Sequence, residues 1–381
     1  MVILEVTAVP FNEYHRGGGE SYPWKLSKEL SKFEDVIFCT SAMRFEKIEN
    51  FFNIDAYFIN ASPFINIHNP IPSISGFLEI KQFVSRNDVE FIHIHNLRTI
   101  PSTIWLMLAK MQSNNRKFKV ILTDHSSKFF PFPKLTAKMV DYYAPVSKYS
   151  AKILYGYAIK PTFIVPPIVQ DEFFKKNIKF EKNVDILYLA RFIPQKRQDL
   201  IIKIAHKMIK NGKRDLKVVI AGGAQNKNYI KDLKQLVSKL NIEKNIEFKF
   251  NVSDDYVLDL ISNSKFMSHI TWYEDMYGKK YRPPIEYSSA VMLEGAAMGV
   301  PSIASDIEPF KEIISEGING IFIDPTNIEI SAQKISKLLE DDIKYKEMAI
   351  KSREIVYKNN RAEIVIRNFR ENLKLIRDGI I

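Results

Sequence analysis

Two carboxylates eight residues apart, Glu286 and Glu294, bracket a stretch whose residue types suit an elongated anionic ligand. After Glu286 come Tyr287, Ser288 and Ser289, then the apolar run Ala290-Val291-Met292-Leu293 and the second acid. The segment closes on Gly-Ala-Ala-Met-Gly, Pro301 and the strand-like Ser302-Ile303-Ala304. It reads as loop, N-cap, helix, a glycine stop at Gly299, and strand. Helical positions eight apart lie about 12 Å apart along the axis. Glu286 is therefore expected in the loop and Glu294 more than a turn into the helix. Such a separation suits a ligand lying across a helix N-terminus, where backbone N–H groups and the dipole favour phosphate. It is too wide for two acids sharing one glycosidic bond at about 5 Å. An ordinary αβ unit with two solvated acids has the same spacing, but Glu294 falls inside an apolar, small-residue helix, where acids are rarely placed unless paired or functional.

A second constellation lies about a hundred residues earlier. Arg191 and Lys196 share the turn Arg191-Phe192-Ile193-Pro194-Gln195-Lys196 after an apolar strand. Arginine can fork to two phosphate oxygens and lysine acts as a point charge, so the pair fits a diphosphate. Gly222-Gly223 forms a further tight turn, and Arg16-Gly17-Gly18-Gly19-Glu20 stands between the first strand and first helix. That glycine run is neither a dinucleotide fingerprint nor a P-loop. His93-Ile94-His95-Asn96 and Asp124-His125-Ser126-Ser127 close two strands, with His125 expected to face a cleft. His93 and His95 share a strand face and could reach one ion. A further ligand set with structural or catalytic spacing is missing and Cys39 stands alone, so no metal site is expected.

The elements that must position these residues alternate. Strands are expected at Val2–Val6, Val36–Thr40, Phe91–Ile94, Lys119–Thr123, Val140–Val146 and Thr162–Val165, with helices at Gly76–Val84, Ser102–Lys110 and from Ser147 to Tyr155. Pro166-Pro167-Ile168 and the polar, basic Asp171–Lys182 read as a link. Strands at Val184–Ala190, Val218–Ala221, Ile246–Phe250, Lys265–His269 and Gly320–Ile323 follow, with helices at Tyr229–Leu240, Asp255–Ser262 and Arg361–Arg377. Strands separated by helix-length segments argue for parallel, doubly wound sheets. In such sheets, ligand residues belong just past the carboxyl ends of strands.

With 381 residues, two domains are expected. A composition of 46% hydrophobic and 26% charged residues is that of a soluble globular protein, and no apolar run approaches a membrane span of about 18 residues. Met1-Val-Ile-Leu-Glu-Val opens like a buried strand and lacks the basic flank of a signal peptide. The lone cysteine fits a reducing, cytoplasmic location. The net charge of +11 permits peripheral contact with an anionic membrane face. The lysines are scattered and no basic run is interleaved with aromatics, so nucleic-acid binding is not expected.

The quoted residues, together with LYLARFIPQKRQDLII, VVIAGG, GVPSIASDIEPFKEII and EGINGIFIDP, resemble the retaining nucleotide-sugar glycosyltransferases of carbohydrate-active family four. The first half matches more loosely through RGGGE, FIHIHN, TDH, VSKYSAKIL and IVPPIV. The resemblance implies a GT-B fold: two Rossmann-like domains (1–170 and 171–358) facing a cleft, and a terminal helix (359–381) crossing back to the first. It implies that Arg191 and Lys196 hold the donor diphosphate, Glu294 the ribose, and Glu286 the transferred sugar. Backbone N–H groups at Ser288 and Ser289 would steady phosphate, with Gly18, Gly19 and Gly222 also on the donor and His125 by the reacting sugar. No cofactor is implied beyond the nucleotide-sugar co-substrate, and the acceptor would be a glycan, lipid-linked glycan or glycoconjugate. Tyr287-Ser288-Ser289 replaces the family's Gly-Phe-Gly, Ala190 its glycine before Arg191, and Arg197 its glycine after Lys196. The alternatives are a GT-B sugar-nucleotide epimerase and a catalytically silent carbohydrate- or nucleic-acid-binding protein.

Overall fold

The structure, a computed structural model, describes residues 1–7, 18–42, 55–60, 84, 88–95, 118–123, 125, 140–156, 162–281, 286 and 288–381. The chain forms two compact units, Met1–Ile168 with Ala362–Ile381 and Val169–Arg361. The first holds a parallel sheet of β1 (Val2–Thr7), β2 (Asp35–Ala42), β3 (Asp55–Asn60), β4 (Phe91–His95), β5 (Lys119–Thr123) and β6 (Tyr142–Tyr143), in the order β3-β2-β1-β4-β5-β6. The second holds β7 (Val184–Leu189), β8 (Val218–Gly222), β9 (Ile246–Phe250), β10 (Ser264–His269), β11 (Ser302–Ser305) and β12 (Gly320–Ile323). Its order, β9-β8-β7-β10-β11-β12, repeats the first, so each unit has a switch point between its first and fourth strands, β1/β4 and β7/β10. Both units are Rossmann-like and hold the two sheets that a GT-B fold contains.

The strands read as continuous apolar runs because both sheet faces are covered. In β7, Ile186 and Tyr188 pack into one core while Leu187 and Leu189 pack into the other. In the first unit, Ile3, Trp24, Phe38, Phe91 and Ile121 share a core with Val365, Ile366, Phe369 and Leu373. The last four come from the final helix, Ala362–Arg377, which crosses back to this unit. Trp24 stacks on Phe38 with ring centroids 4.0 Å apart. Arg370 reaches Glu34 at 2.6 Å from the same helix.

Several expected elements differ. β3 is an additional strand. The strand expected over Val140–Val146 shortens to Tyr142–Tyr143, because only two residues find register against β5. Thr162–Val165 is not a strand: it makes isolated bonds, Thr162 N to Tyr143 O at 2.8 Å and Val165 N to Pro145 O at 2.9 Å. Asp171–Lys182 is not a bare link, since helix Glu172–Lys175 buries Phe173 and Phe174 in the second unit. Ser147 does cap its helix, Lys148–Gly156, accepting from Ser150 N at 3.0 Å. The expected helix Ser102–Lys110, and all of Gly76–Val84 but Val84, lie outside the described residues.

Phe369 is buried in the first unit's core. Phe369→Ala should destabilise that unit by about 3–5 kcal/mol. Urea unfolding checks this: a loss below about 1 kcal/mol would mean the final helix adds little to the core.

Candidate functional site

In the second unit the site grows from the end of β7. Gly222 closes β8 at φ +147°, and a Cβ there would lie 2.0 Å from the carbonyl oxygen of Ala190. Only glycine permits this approach. The chain after β7 is fastened to the end of β8 by Ala190 N to Ala221 O and Phe192 N to Gly223 O, each 2.9 Å. Arg191 therefore sits at the carboxyl end of the sheet, where its guanidinium makes no ion pair or hydrogen bond among the described residues. A 3₁₀ turn, Pro194–Lys196, follows.

The next residue, Arg197, adopts φ 53° and ψ 40°, a left-handed conformation that disfavours side chains other than glycine. Its guanidinium is clamped by Asp199, Nε to Oδ1 at 2.9 Å and Nη2 to Oδ2 at 3.0 Å, and also donates to the carbonyl of Glu274. The Arg197 carbon skeleton is thus held where the resembling family uses glycine. The buried hydroxyl of Tyr188 donates to the Lys196 carbonyl and accepts from Ile270 N at 3.2 Å, tying this turn to the end of β10.

Those ties bring together residues 90 apart in sequence. Lys196 Nζ pairs with Glu286 Oε1, and His269 Nε2 stands 3.6 Å from the same oxygen. Burial alone would raise the Glu286 carboxyl, but the Lys196 ammonium and His269 together outweigh it and hold the group at about 2. His269 is pushed below its usual value, chiefly by burial. Its two ring nitrogens and the Thr271 hydroxyl are buried without hydrogen-bond partners among the described residues. Buried polar atoms of this kind are rare unless a ligand or water satisfies them.

Helix Ala290–Ala297 begins just after Glu286, with buried Ser289 at its N-cap and half-buried Ser288 before it. Glu294 is the fifth helical residue and only 9% exposed, so the two acids occupy loop and helix as their spacing requires. Tyr287 lies outside the described residues.

The first unit carries a separate polar cluster at its own switch point. Glu5 of β1 is in register with His93 of β4, and both are fully buried. His93 Nδ1 lies 3.1 Å from Glu5 Oε1, and His95 Nε2 lies 2.7 Å from Glu5 Oε2. His93 Nε2 contacts Thr123 Oγ1 at 2.8 Å, and His95 Nδ1 contacts His125 Nε2 at 3.1 Å. Glu5 is held at about 2, with the two imidazoles overcoming its burial, whereas burial lowers His95 to about 4. The three ligand-type atoms fall within 4.8 Å of one another. Their separations are those of hydrogen bonds, with the carboxylate as common acceptor.

Gly18 and Gly19 form the first turn of helix Gly18–Leu30. Arg16, Gly17, Asn96, Asp124, Ser126 and Ser127 lie outside the described residues. The sequence alone did not single out Glu5 or His269. A charged residue within an apolar first strand and a histidine closing a switch-point strand are the signals that mark them. No helix among the described residues is long and apolar enough to cross a membrane.

Residues 169–355 match the family described as Glycosyl transferases group 1. Over 375 residues the chain is 21% identical to N-acetyl-alpha-D-glucosaminyl L-malate synthase of Bacillus anthracis, covering 93% of this chain and 92% of that protein. A glycosyltransferase from Rickettsia africae ESF-5 superposes with TM-score 0.77 at 19% identity, covering 98% of each chain. The protein HepE of Anabaena, in complex with UDP, superposes with TM-score 0.74 at 14% identity, covering 98% of this chain and all of that one. The same Anabaena protein is also known in complex with UDP-glucose.

A depressed carboxyl pKa contributes stability that is complete above the unfolded value, about 4.3, and is lost as pH falls toward the folded one. With Glu286 held at about 2, Glu286→Gln should flatten the rise of stability with pH across that window. Urea unfolding of both proteins at several acidic pH values checks this. An unchanged slope would mean Lys196 does not hold the carboxylate ionised.

Proposed function

Because residues 169–355 match the glycosyl transferases group 1, we propose that the chain moves a sugar from a nucleotide diphosphate-sugar to an acceptor with retention of anomeric configuration and without a metal ion. The observation that carries this reading is the ionised Glu286 held by Lys196 beside buried His269, ahead of a helix that contains Glu294. The UDP and UDP-glucose complexes of the Anabaena protein support a nucleotide-sugar donor.

In this reading the diphosphate lies at the carboxyl end of β7. Arg191 supplies a cation with no partner among the described residues, and the N-terminus of helix Ala290–Ala297 supplies N–H groups and a positive dipole end. As the glycosidic bond breaks, negative charge grows on the diphosphate, and these groups stabilise it more in the transition state than before. Lys196 contacts both Glu286 and the diphosphate. Glu286 accepts from hydroxyls of the transferred sugar, and Glu294 accepts from the ribose. To His125 we assign a place by the reacting sugar. The acceptor in this reading is a glycan, a lipid-linked glycan or a glycoconjugate.

Three outcomes test this. Arg191→Ala should lower kcat by the order of 10²-fold, and a raised KM with unchanged kcat would remove it from the leaving-group role. Turnover should survive EDTA. Loss of activity restored by Mn²⁺ or Mg²⁺ would overturn metal independence. Glu294→Gln should weaken free nucleotide diphosphate and complete donor by similar factors, whereas Glu286→Gln should spare nucleotide affinity and cut kcat. The reverse pattern in nucleotide affinity and steady-state kinetics would exchange the two assignments.

A further inference from the structure

We propose that Glu5, His93 and His95 form a buried positioning relay that commits Nε2 of His125 to donating a hydrogen bond, so that His125 gains or loses a proton only at Nδ1. Donors along one chain of contacts fix the protons. Thr123 has a single hydroxyl proton, and it is given to the Ala144 carbonyl at 2.8 Å. Thr123 Oγ1 must then accept from His93 Nε2, 2.8 Å away. Glu5 is ionised and can only accept, so His93 Nδ1 and His95 Nε2 both donate to it, which leaves His93 with a proton on each ring nitrogen.

His95 then has one nitrogen left. Burial keeps its imidazole neutral, so with Nε2 protonated its Nδ1 carries a lone pair. The group facing that lone pair, at 3.1 Å, is Nε2 of His125, which must supply the proton. The links ahead of His125 are shut away from water: Glu5, His93 and Thr123 have no exposed surface and His95 has 1%. The surrounding groups hold the rings without competing for these atoms. Tyr22 of helix Gly18–Leu30 lays its ring 4.6 Å from that of His125 and sends its hydroxyl to the Val165 carbonyl, 3.0 Å away. Phe369 of the final helix covers His93 at 5.3 Å.

A cation shared by Glu5, His93 and His95 is the rival arrangement. It would require both imidazoles to give up the protons they donate to the carboxylate, and His93 would still have to donate to Thr123. The hydrogen-bonded chain gives a partner to both Glu5 oxygens and to both ring nitrogens of His93 and His95, as a buried network needs in order to rigidify its members. The effect of the relay on turnover rests on the reading of His125 given above. The tautomers themselves do not.

The test is long-range ¹⁵N–¹H correlation on the full chain with ¹⁵N-labelled histidine, the rings assigned by single substitutions. The relay predicts one proton on His95, at Nε2, and a protonated Nε2 on His125 throughout about pH 5–8. A proton on His95 Nδ1, a lone pair on His125 Nε2, or stoichiometric bound zinc with metal-shifted His93 and His95 nitrogens would each overturn it. Glu5→Gln should leave His125 in mixed tautomers and lower kcat by about 10²-fold. Should that variant fail to fold, the spectrum of the unsubstituted protein still decides. His125→Ala separates the two readings: unchanged kcat would remove His125 from the reaction while the spectrum stands or falls alone.

Discussion

The ammonium of Lys196 against the carboxylate of Glu286 is the contact on which the second unit's site depends. A carboxylate with so little exposure would take up a proton or turn to solvent without a cation beside it. Holding it ionised requires segments 90 residues apart to meet within a hydrogen bond's length. The adjacency of β7 and β10 makes the meeting possible, the Tyr188 hydroxyl fixes the height of the Lys196 turn, and Gly222 lets the end of β8 close against Ala190. Arg197 completes the frame. It keeps a left-handed backbone because Asp199, buried and itself in need of a cation, grips the guanidinium from two sides.

The two units solve the same problem with different chemistry. Each has its first strand beside its fourth, with connections leaving toward opposite edges. Each places a buried histidine at the end of the fourth strand, His95 on β4 and His269 on β10. In the first unit that histidine lies within a saturated chain of hydrogen bonds, closed to further partners except through His125. In the second its ring nitrogens stay unsatisfied among the described residues beside the Lys196–Glu286 pair. One arrangement is built for rigidity and the other for something that arrives.

Much of this was legible in the sequence, and the divide follows physical range. The placement of Glu286 in a loop and Glu294 in a helix depends only on local period, capping and a glycine stop, and Gly299 does take a left-handed φ of 71°. β5, β9 and β12 carry the bounds expected of them, since apolar runs between polar turns define them locally. The ion pair of Lys196 with Glu286 was not legible, nor was the pairing of Glu5 with His93, because lateral strand order is a property of the whole sheet. The burial of Phe173 and Phe174 escaped for a related reason: the basic residues around them hide a short helix whose value lies in tertiary packing. Arg197 showed as a departure from a glycine, but its consequence needed the backbone angle and Asp199.

The first unit is discontinuous in the chain. Its sheet is complete by Tyr143, yet Val365, Ile366, Phe369 and Leu373 of its core belong to the last twenty residues. During synthesis these residues leave the ribosome only after all 193 residues of the second unit, Val169–Arg361. The N-terminal sheet must therefore wait with part of its core uncovered while the second unit is made. At elongation rates of about 5–20 residues per second, that wait lasts roughly 10–40 seconds. For that interval the nascent sheet presents the apolar surface chaperones bind, and its lifetime is set by translation of the remaining chain.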